Sequence, residues 1–391
     1  MTAESPLDGV DLKTALEATL DRTDAVLAAV DDFPLLVDDD TGKWETTEDG
    51  NWCAGHWIGL LWLAAHHADE QGKRERFETA AYDYLDRMLA AEDLLGSMFA
   101  GMNYLYAGYR GYDLTGDRTL YGVGFTGADA MVDLFHERAR MVPIGAYAVA
   151  GPSEQFDLTE AVGDRPTGEQ ISATDMIYAS IPVLWRAYSE TGTEAFRDRA
   201  IAHCDRHLDW CIKPDGTTFH EVEFDPETGD LIAQYNDLAY SDDSCWARGQ
   251  GWNIAGLSRA YNETAAERYL AALEETVGYY VEQTPDDLVP YWDFEDPSIP
   301  DAPRDTSAAA LTAYGLSRLE GDGERVADLR QTGEATLASL VEEYLVTDAS
   351  AGDRGGVRHG TYNKPGDYGV DTELIWTNYY VAYALHERLT A

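Results

Sequence analysis

The feature that most constrains the fold is one helical pattern that recurs along the chain. An apolar helix ends in a short turn containing Gly or Thr, and an amphipathic helix with Glu, Asp and Arg on its outer face follows. In the second helix of each pair, apolar residues recur at positions i, i+3, i+4 and i+7, which is typical of a helix with one buried face. The sequence therefore predicts an inner ring of buried helices covered by an outer ring of amphipathic ones.

Five such pairs can be traced, with one further helix before them and one after them. The predicted pairs are residues 57–69 with 74–89, 98–114 with 117–138, 173–190 with 194–211, 246–262 with 265–282, and 306–319 with 323–345, flanked by 12–30 and 375–389. This gives about twelve helices.

Helical hairpins of this kind either close into a toroid or stack into an open solenoid. Here they differ in length and carry irregular insertions at 150–170, 214–243 and 286–304, whereas solenoid repeats are more regular. The insertions have the turn residues of small hairpins and loops, as in D-P-E-T-G at 225–229. We predict a closed all-α toroid that spans residues 1–391 as a single domain, after a short N-terminal tail of about residues 1–8.

The charge of the chain indicates a salt-rich environment. Asp and Glu total 72 against 28 Lys and Arg, a formal net charge of −44 spread along the whole length. Such a chain repels itself in dilute salt, but at molar salt the Debye length shrinks to about 3 Å and the repulsion is screened. We therefore expect a halophilic protein from a source such as a haloarchaeon. No basic face is available for nucleic acid.

We expect a cytoplasmic protein, because no targeting signal is recognisable and the cysteines are not paired by motif. Met1 to Leu12 contains no basic region followed by an apolar run, and no stretch approaches the ~20 apolar residues of a membrane span. The cysteines Cys53, Cys204, Cys211 and Cys245 show no C-x-x-C pairing, so we expect buried thiols in a reducing compartment.

Four segments concentrate residues that could carry chemistry. Residues 51–64 hold Trp52 and His56, and residues 172–184 hold a lone Asp175 at the start of an apolar helix. Residues 240–252 read Y-S-D-D-S-C-W-A-R-G-Q-G-W, and residues 291–309 contain W-D-F and P-R-D-T-S-A-A. An aspartate at a helix start is stabilised as an anion by free N–H groups, while apolar neighbours raise its pKa. Such a residue is either a general acid and base or a plain N-cap.

Together these segments resemble glycoside hydrolase family 88, the unsaturated glucuronyl hydrolases, from about Trp52 to Leu385. That family is known as an (α/α)6 toroid, in agreement with the helix count. It hydrates the C4=C5 double bond of a terminal unsaturated uronic acid, and the unstable product opens to release the rest of the sugar. The resemblance implies an acidic oligosaccharide substrate and requires neither metal nor organic cofactor.

The resemblance also assigns residues. Asp175 falls on the family's acid/base aspartate, and His220 on a position that contacts the unsaturated sugar. Arg248 and Trp252 match positions that line the same pocket. We expect three further substrate-binding residues, Trp246, His56 and Trp52. Two alternatives stay open: His220 as an ordinary loop or core residue, and Arg248 as an ion-pair partner of Asp242 or Asp243.

The chain departs from the family pattern at three places. Phe99 occupies the place of a second catalytic aspartate, Leu238 that of a glutamine, and Thr377-Asn378 that of a Gly-Asp pair. These departures predict either a different sugar or another partner for Asp175, for which the candidates are Asp113, Asp93 and Asp243.

Two other function classes remain open from the sequence. One is a sugar isomerase or epimerase on the same toroid, using His56 and His220. The other is a carbohydrate-binding protein that has lost catalysis. The sequence leaves the oligomeric state undetermined.

Overall fold

The protein is represented by a computed structural model that describes residues 5–38, 40–145 and 168–390. The α-helices are α1 Leu12–Ala29, α2 Ala54–His67, α3 Gln71–Ala90, α4 Phe99–Tyr104, α5 Gly111–Thr115, α6 Arg118–Leu134, α7 Met176–Ala179, α8 Ile181–Thr191, α9 Glu194–Trp210, α10 Ala247–Thr264, α11 Glu267–Gln283, α12 Thr306–Leu316, α13 Glu324–Ser339 and α14 Ile375–Thr390. The strands are β1 Phe33–Val37, β2 Trp44–Thr47, β3 Ile171–Ala173, β4 Glu221–Phe224 and β5 Leu231–Tyr235. A π-helical segment, Leu105–Arg110, joins α4 to α5, and another, Leu340–Tyr344, prolongs α13.

Each of the five predicted pairs forms a packed helical hairpin. The pairs are α2 with α3, the continuous run α4–α5 with α6, α8 with α9, α10 with α11, and α12 with α13. Two of the connections begin at a glycine in the left-handed region, Gly116 with φ 76° and Gly192 with φ 67°. A residue without Cβ adopts this conformation at no steric cost, which is why these helices end there.

Burial alternates within the pairs as the hydrophobic pattern predicted. Every residue of α2 from Ala54 to Ala65 is buried, whereas its partner α3 buries only one stripe: Phe77, Ala81, Tyr84, Leu85 and Met88. The same contrast separates α12, in which all residues are buried, from α13. Within the described residues, no helix has the length and apolarity needed to cross a bilayer.

One predicted helix, 173–190, is wrong in its first half. The span 173–190 divides into strand β3, a turn, the short helix α7 and then α8. Ala173 pairs with Glu221 in the ladder between β3 and β4, so its backbone belongs to a sheet. Pro182 lies in the first turn of α8 and has no N–H, which prevents one continuous helix through Ser180.

Chain contacts divide the molecule into two compact units. The middle unit comprises Thr47–Lys213 and Phe219–Asp237, and the terminal unit comprises Met1–Thr46, Pro214–Thr218 and Leu238–Ala391. In the terminal unit, α1 packs against α14, and Arg22 forms an ion pair with Glu373 in which Nε and Nη2 donate to the two carboxylate oxygens. Residues 5–8 of the expected tail are packed here too, because Leu7 is buried and the Ser5 hydroxyl donates to Glu334.

The insertion 214–243 forms two strands of a small sheet. The antiparallel sheet β3–β4–β5 belongs to the middle unit, and its hairpin β4–β5 is the predicted element of the insertion 214–243. Asp225 builds the turn, since its Oδ1 accepts from the N–H groups of Glu227 and Thr228 at 2.7 and 2.9 Å. Residues 146–167, most of the insertion 150–170, lie outside the described residues.

Helix α6 approaches its partner at glycines, and this contact is open to a matched test. A Cβ at Gly127 would lie 2.3 Å from the Cβ of Tyr104, whereas a Cβ at the exposed Gly122 would meet nothing within 4 Å. Gly127→Ala should therefore lower the free energy of unfolding by about 1–3 kcal/mol or more because the helices must separate. Gly122→Ala should raise it by about 0.5–1 kcal/mol through the restricted unfolded chain. Denaturant unfolding in molar salt measures both; equal effects would contradict the packing described.

Candidate active site

Asp175 lies two residues beyond strand β3, at the N-cap position of α7. Its carbonyl accepts from the N–H groups of Tyr178 and Ala179 at 3.0 and 2.7 Å, which closes the first turn. Within the described residues, however, its partly buried carboxylate makes no capping hydrogen bond to that turn. The N-cap alternative therefore does not account for this side chain.

His220 lies at the same end of the sheet as Asp175. Ala173 pairs with Glu221, and one residue further along, the Thr174 N–H donates to the His220 carbonyl at 2.7 Å. The His220 N–H donates to the Tyr235 carbonyl at 2.9 Å and to Oδ1 of Asn236 at 2.7 Å, which fixes the backbone beneath a largely buried ring. Two predicted site residues that lie 45 positions apart in the sequence are thus adjacent to one strand pair.

Trp52 and His56 form an aromatic cluster at the start of α2. The His56 ring lies edge-on between Trp52 and Tyr106, with centroid distances of 5.6 and 5.0 Å. Burial lowers the pKa of His56 to about 3, although a hydrogen bond to the Trp52 backbone opposes the shift. This imidazole is neutral at ordinary pH and contributes shape and hydrogen bonding rather than charge.

Sequence reasoning missed the two amides that hold this cluster. Asn103 accepts from the Gly55 N–H through Oδ1 and donates to the Asn51 carbonyl through Nδ2, both at 2.8 Å. Asn51 itself has a left-handed backbone, φ 47°, and is buried. The signal was present in the sequence as a lone amide in an apolar helix, M-N-Y-L-Y, because a buried amide requires partners.

Phe99, which replaces the family's second aspartate, begins α4 beside the segment that carries Asp175. The Ser180 hydroxyl donates to the Met98 carbonyl at 3.0 Å, and a Cβ at Gly101 would lie 2.4 Å from the Cα of Ser180. A partly buried phenyl ring therefore occupies this helix start where the family has a carboxylate.

The three acidic residues proposed as other partners of Asp175 have different settings. Both oxygens of Asp113 accept from Arg186, at 2.7 and 2.9 Å, so this carboxylate is held in an ion pair. Asp93 and Asp243 are exposed, the latter in the terminal unit.

In the terminal unit, Arg248 is a buried organising group. Its guanidinium donates to the carbonyls of Thr361 and Tyr362 at 2.5 and 2.6 Å, and the side chain is only 3% exposed. Nη1 also lies 3.5 Å from Oδ2 of Asp305, a fully buried carboxylate. The ion pair left open by the sequence exists, but its partner is Asp305 rather than Asp242 or Asp243, which are exposed.

Aromatic rings surround this guanidinium. Its carbon lies 4.5 Å from the ring centroid of Trp246, 5.5 Å from that of Tyr362 and 5.7 Å from that of Trp376. Trp252 is also buried, and its ring stands edge-on to Tyr380 at 5.9 Å. The two tryptophans of this motif thus contact different groups: Trp246 contacts the guanidinium of Arg248, and Trp252 contacts the ring of Tyr380.

Two aspartates of the motifs hold the backbone of the terminal unit. Oδ1 of Asp305 accepts from the N–H and hydroxyl of Ser307 at the start of α12. Oδ2 of Asp293 accepts from the Tyr240 N–H at 2.8 Å and the Ser244 hydroxyl at 2.9 Å, which anchors the exposed turn between them. Burial raises the pKa of both aspartates. These two aspartates of the motifs therefore stabilise the local fold.

The remaining departures from the family pattern also have local partners. Leu238 packs against the cluster of Ala239, Trp246, Trp292 and Ala302. Asn378 donates through Nδ2 to Oε1 of Glu373 at 2.7 Å and accepts from the Val357 N–H at 3.0 Å. A carboxylate at Asn378 would face Glu373 without a proton to donate, so the amide suits this chain.

The buried guanidinium can be tested directly. Arg248→Met leaves Asp305 as an uncompensated buried charge, so the free energy of unfolding should fall by about 3–5 kcal/mol. The control is Arg325→Met, which removes a half-exposed guanidinium paired with Glu267 and Glu274 and should change stability little. Denaturant unfolding in molar salt compares the two; equal losses would contradict an organising role for Arg248.

The chain is similar to a known enzyme family and to several of its members. The family profile described as Glycosyl Hydrolase Family 88 matches residues 166–386. The chain is 28% identical to the unsaturated chondroitin disaccharide hydrolase of Streptococcus pneumoniae over 363 residues, 91% of this chain and 86% of that protein. It is 27% identical to the unsaturated glucuronyl hydrolase of Bacillus sp. over 360 residues, 91% of this chain and 90% of that protein.

The solved structures agree with the sequence comparisons. The crystal structure of the unsaturated glucuronyl hydrolase from Bacillus sp. GL1 matches with a TM-score of 0.83 and 25% identity over 96% of each chain. The predicted fold class, the all-α (α/α)6 toroid of these enzymes, is therefore confirmed, and so is the resemblance read from the motifs. That residues 1–391 act as a single domain stays a prediction.

Proposed function

The chain belongs to glycosyl hydrolase family 88 and is a glycoside hydrolase; on that premise we propose that it removes a terminal unsaturated uronic acid from oligosaccharides generated by polysaccharide lyases. The observation that carries the proposal is the placement of Asp175. Its carboxylate does not cap its own helix, and the residue directly follows Thr174, whose N–H donates to the His220 carbonyl at the end of the β3–β4 ladder. A carboxyl group so placed can give a proton to a substrate and take one back.

In this proposal one carboxyl group performs both proton transfers. Protonated Asp175 donates to C4 of the enol ether, which forms a C4–H bond and leaves positive charge shared between C5 and the ring oxygen. Water then adds to C5, and the Asp175 carboxylate takes the proton that the water loses. The net reaction adds one water molecule, Asp175 returns to its starting state, and the hydrated sugar opens to release its neighbour.

The other predicted residues serve binding in this scheme. We propose that His220 contacts the sugar beside Asp175, and that Trp52, His56, Trp246 and Trp252 shape the binding surfaces of their own units. Arg248 would act through the backbone of Thr361 and Tyr362, to which it is hydrogen bonded. Phe99 stands where the family has a second carboxylate, and this is consistent with a sugar or a catalytic partner different from the family's usual one.

No specific observation favours the two other classes of function. An isomerase built on His56 and His220 would need both imidazoles to exchange protons, yet burial keeps the pKa of His56 at about 3. A protein that binds carbohydrate without turnover would show calorimetric binding of an unsaturated disaccharide and no loss of its double bond.

The activity can be tested on a panel of lyase-generated disaccharides, including unsaturated chondroitin disaccharide, in molar KCl. We expect loss of absorbance from the C4=C5 bond, and Asp175→Asn should lower kcat by at least about 10²- to 10⁴-fold without unfolding the protein. The control is Asp86→Asn, an exposed aspartate on α3. Full activity of Asp175→Asn would refute the assignment, and a flat panel with the wild-type protein would refute the reaction class.

We also propose that the protein is cytoplasmic and adapted to high salt. Its 72 acidic and 28 basic residues repel one another in dilute solution. Raising KCl from about 0.1 M to about 3 M shortens the Debye length from about 10 Å to below 3 Å, so the thermal midpoint should rise steeply. Sucrose at equal osmolality, which does not screen charge, should stabilise much less. Equal effects of the two solutes would contradict a role for charge screening.

A further inference from the structure

A short segment of the middle unit, residues 142–145, connects the two chain regions that bear Asp175 and Phe99. On one side, the Ile144 N–H donates to the Ile171 carbonyl at 2.8 Å, and the Ser172 hydroxyl donates to the Val142 carbonyl at 2.8 Å. On the other side, the Met98 N–H donates to the Ile144 carbonyl at 2.8 Å. We call residues 142–145 the bridging segment, because β3 and the start of α4 both hydrogen bond to it.

His203 on α9 anchors the bridging segment. The Val142 N–H donates to Nδ1 of His203 at 3.1 Å, and both residues are fully buried. Two hydrogen bonds therefore link His203 to the sheet: Nδ1 of His203 accepts from the Val142 N–H, and the Val142 carbonyl accepts from the Ser172 hydroxyl. Ser172 belongs to β3, three residues before Asp175.

The imidazole must be neutral for this contact, because a protonated Nδ1 would place its own N–H opposite the Val142 N–H and could not accept a hydrogen bond. Burial lowers the pKa of His203 well below its ordinary value, and the stacked ring of His207, 6.3 Å away between centroids, acts in the same direction. Nδ1 is therefore available as an acceptor, and the proton lies on Nε2.

We propose that His203 is a positioning residue for Asp175, acting through Val142 and Ser172 to fix the end of strand β3. This inference rests on the proposed function, since it assigns to Asp175 the proton transfers of the reaction. In this proposal His203, which is fully buried, takes no part in the chemistry itself. Its removal should disturb the orientation of Asp175 more than the affinity for substrate, since displacements of about 1 Å can cost about 10²-fold in rate.

The test compares His203→Leu, which fills the site without an acceptor, with His203→Asn, whose Oδ1 can accept from the Val142 N–H. With unsaturated chondroitin disaccharide in molar KCl, we expect His203→Leu to lower kcat about 10- to 100-fold with KM within about threefold. His203→Asn should restore most of kcat. An Asn variant as slow as the Leu variant, or a Leu variant with unchanged kcat, would overturn the proposal.

If His203→Leu does not fold, a milder variant still tests the proposal. Ser172→Ala removes only the hydroxyl that bonds the Val142 carbonyl and should lower kcat several-fold, whereas Ser258→Ala, a buried serine on α10, should leave kcat unchanged. Equal kcat in these two serine variants would overturn the proposal.

Hydrogen–deuterium exchange separates this proposal from the proposed function. In His203→Leu, but not in His203→Asn, the Val142 amide and the peptide covering residues 168–175 should exchange faster. If the wild-type protein does not turn over the disaccharide, the proposed reaction fails, and the exchange result still decides the positioning claim. Unchanged exchange in His203→Leu would overturn it.

Discussion

A side chain of any size at Gly101 would place its Cβ 2.4 Å from the Cα of Ser180, and one at Gly55 would place it 2.5 Å from the Cα of Asn103. The helices of the middle unit therefore cross at residues that have no side chain, with backbone against backbone. Gly55 directly precedes His56, Gly101 follows Phe99 by two positions, and Ser180 follows Asp175 by five. The residues expected to carry function are thus placed by close backbone contacts. Interiors packed this closely have little freedom to adjust, so these crossings also make the site rigid.

Electrostatics in this chain follows two regimes. The chain as a whole carries a formal net charge of −44, and we propose that salt is needed to screen the resulting repulsion. In the interior of the terminal unit, single cations are each matched to a buried carboxylate, as Arg248 is to Asp305 and Arg22 to Glu373. Buried pairs of this kind cost desolvation energy and are retained where they specify geometry. Arg248 does so by holding two consecutive carbonyls, which positions the chain at Thr361 and Tyr362.

The family motifs contain residues of two kinds that the sequence alone does not separate. Asp293 and Asp305 accept hydrogen bonds from backbone N–H groups and hydroxyls, so their carboxylates hold the local backbone in place. Asp175, in contrast, leaves the N–H groups of its own helix turn to its backbone carbonyl. All three are aspartates near helix starts or turns in apolar surroundings, and only the pattern of hydrogen bonds distinguishes them. The absence of a capping bond from the Asp175 carboxylate is consistent with the proton transfers proposed for this residue.

The sequence by itself determined the helical hairpins, the alternation of buried and amphipathic helices and the family, because hydrophobic period and turn glycines act over a few residues. It also determined the hairpin at Asp225–Gly229, whose turn chemistry is local. Only the tertiary structure decided that residues 171–173 form a strand, since that strand exists through pairing with β4. The same holds for the partner of Arg248 and for the contacts of Asn103 and His203. Each of these depends on atoms that are distant in the sequence, and a side chain's partner across the core is set by packing, which no local pattern encodes.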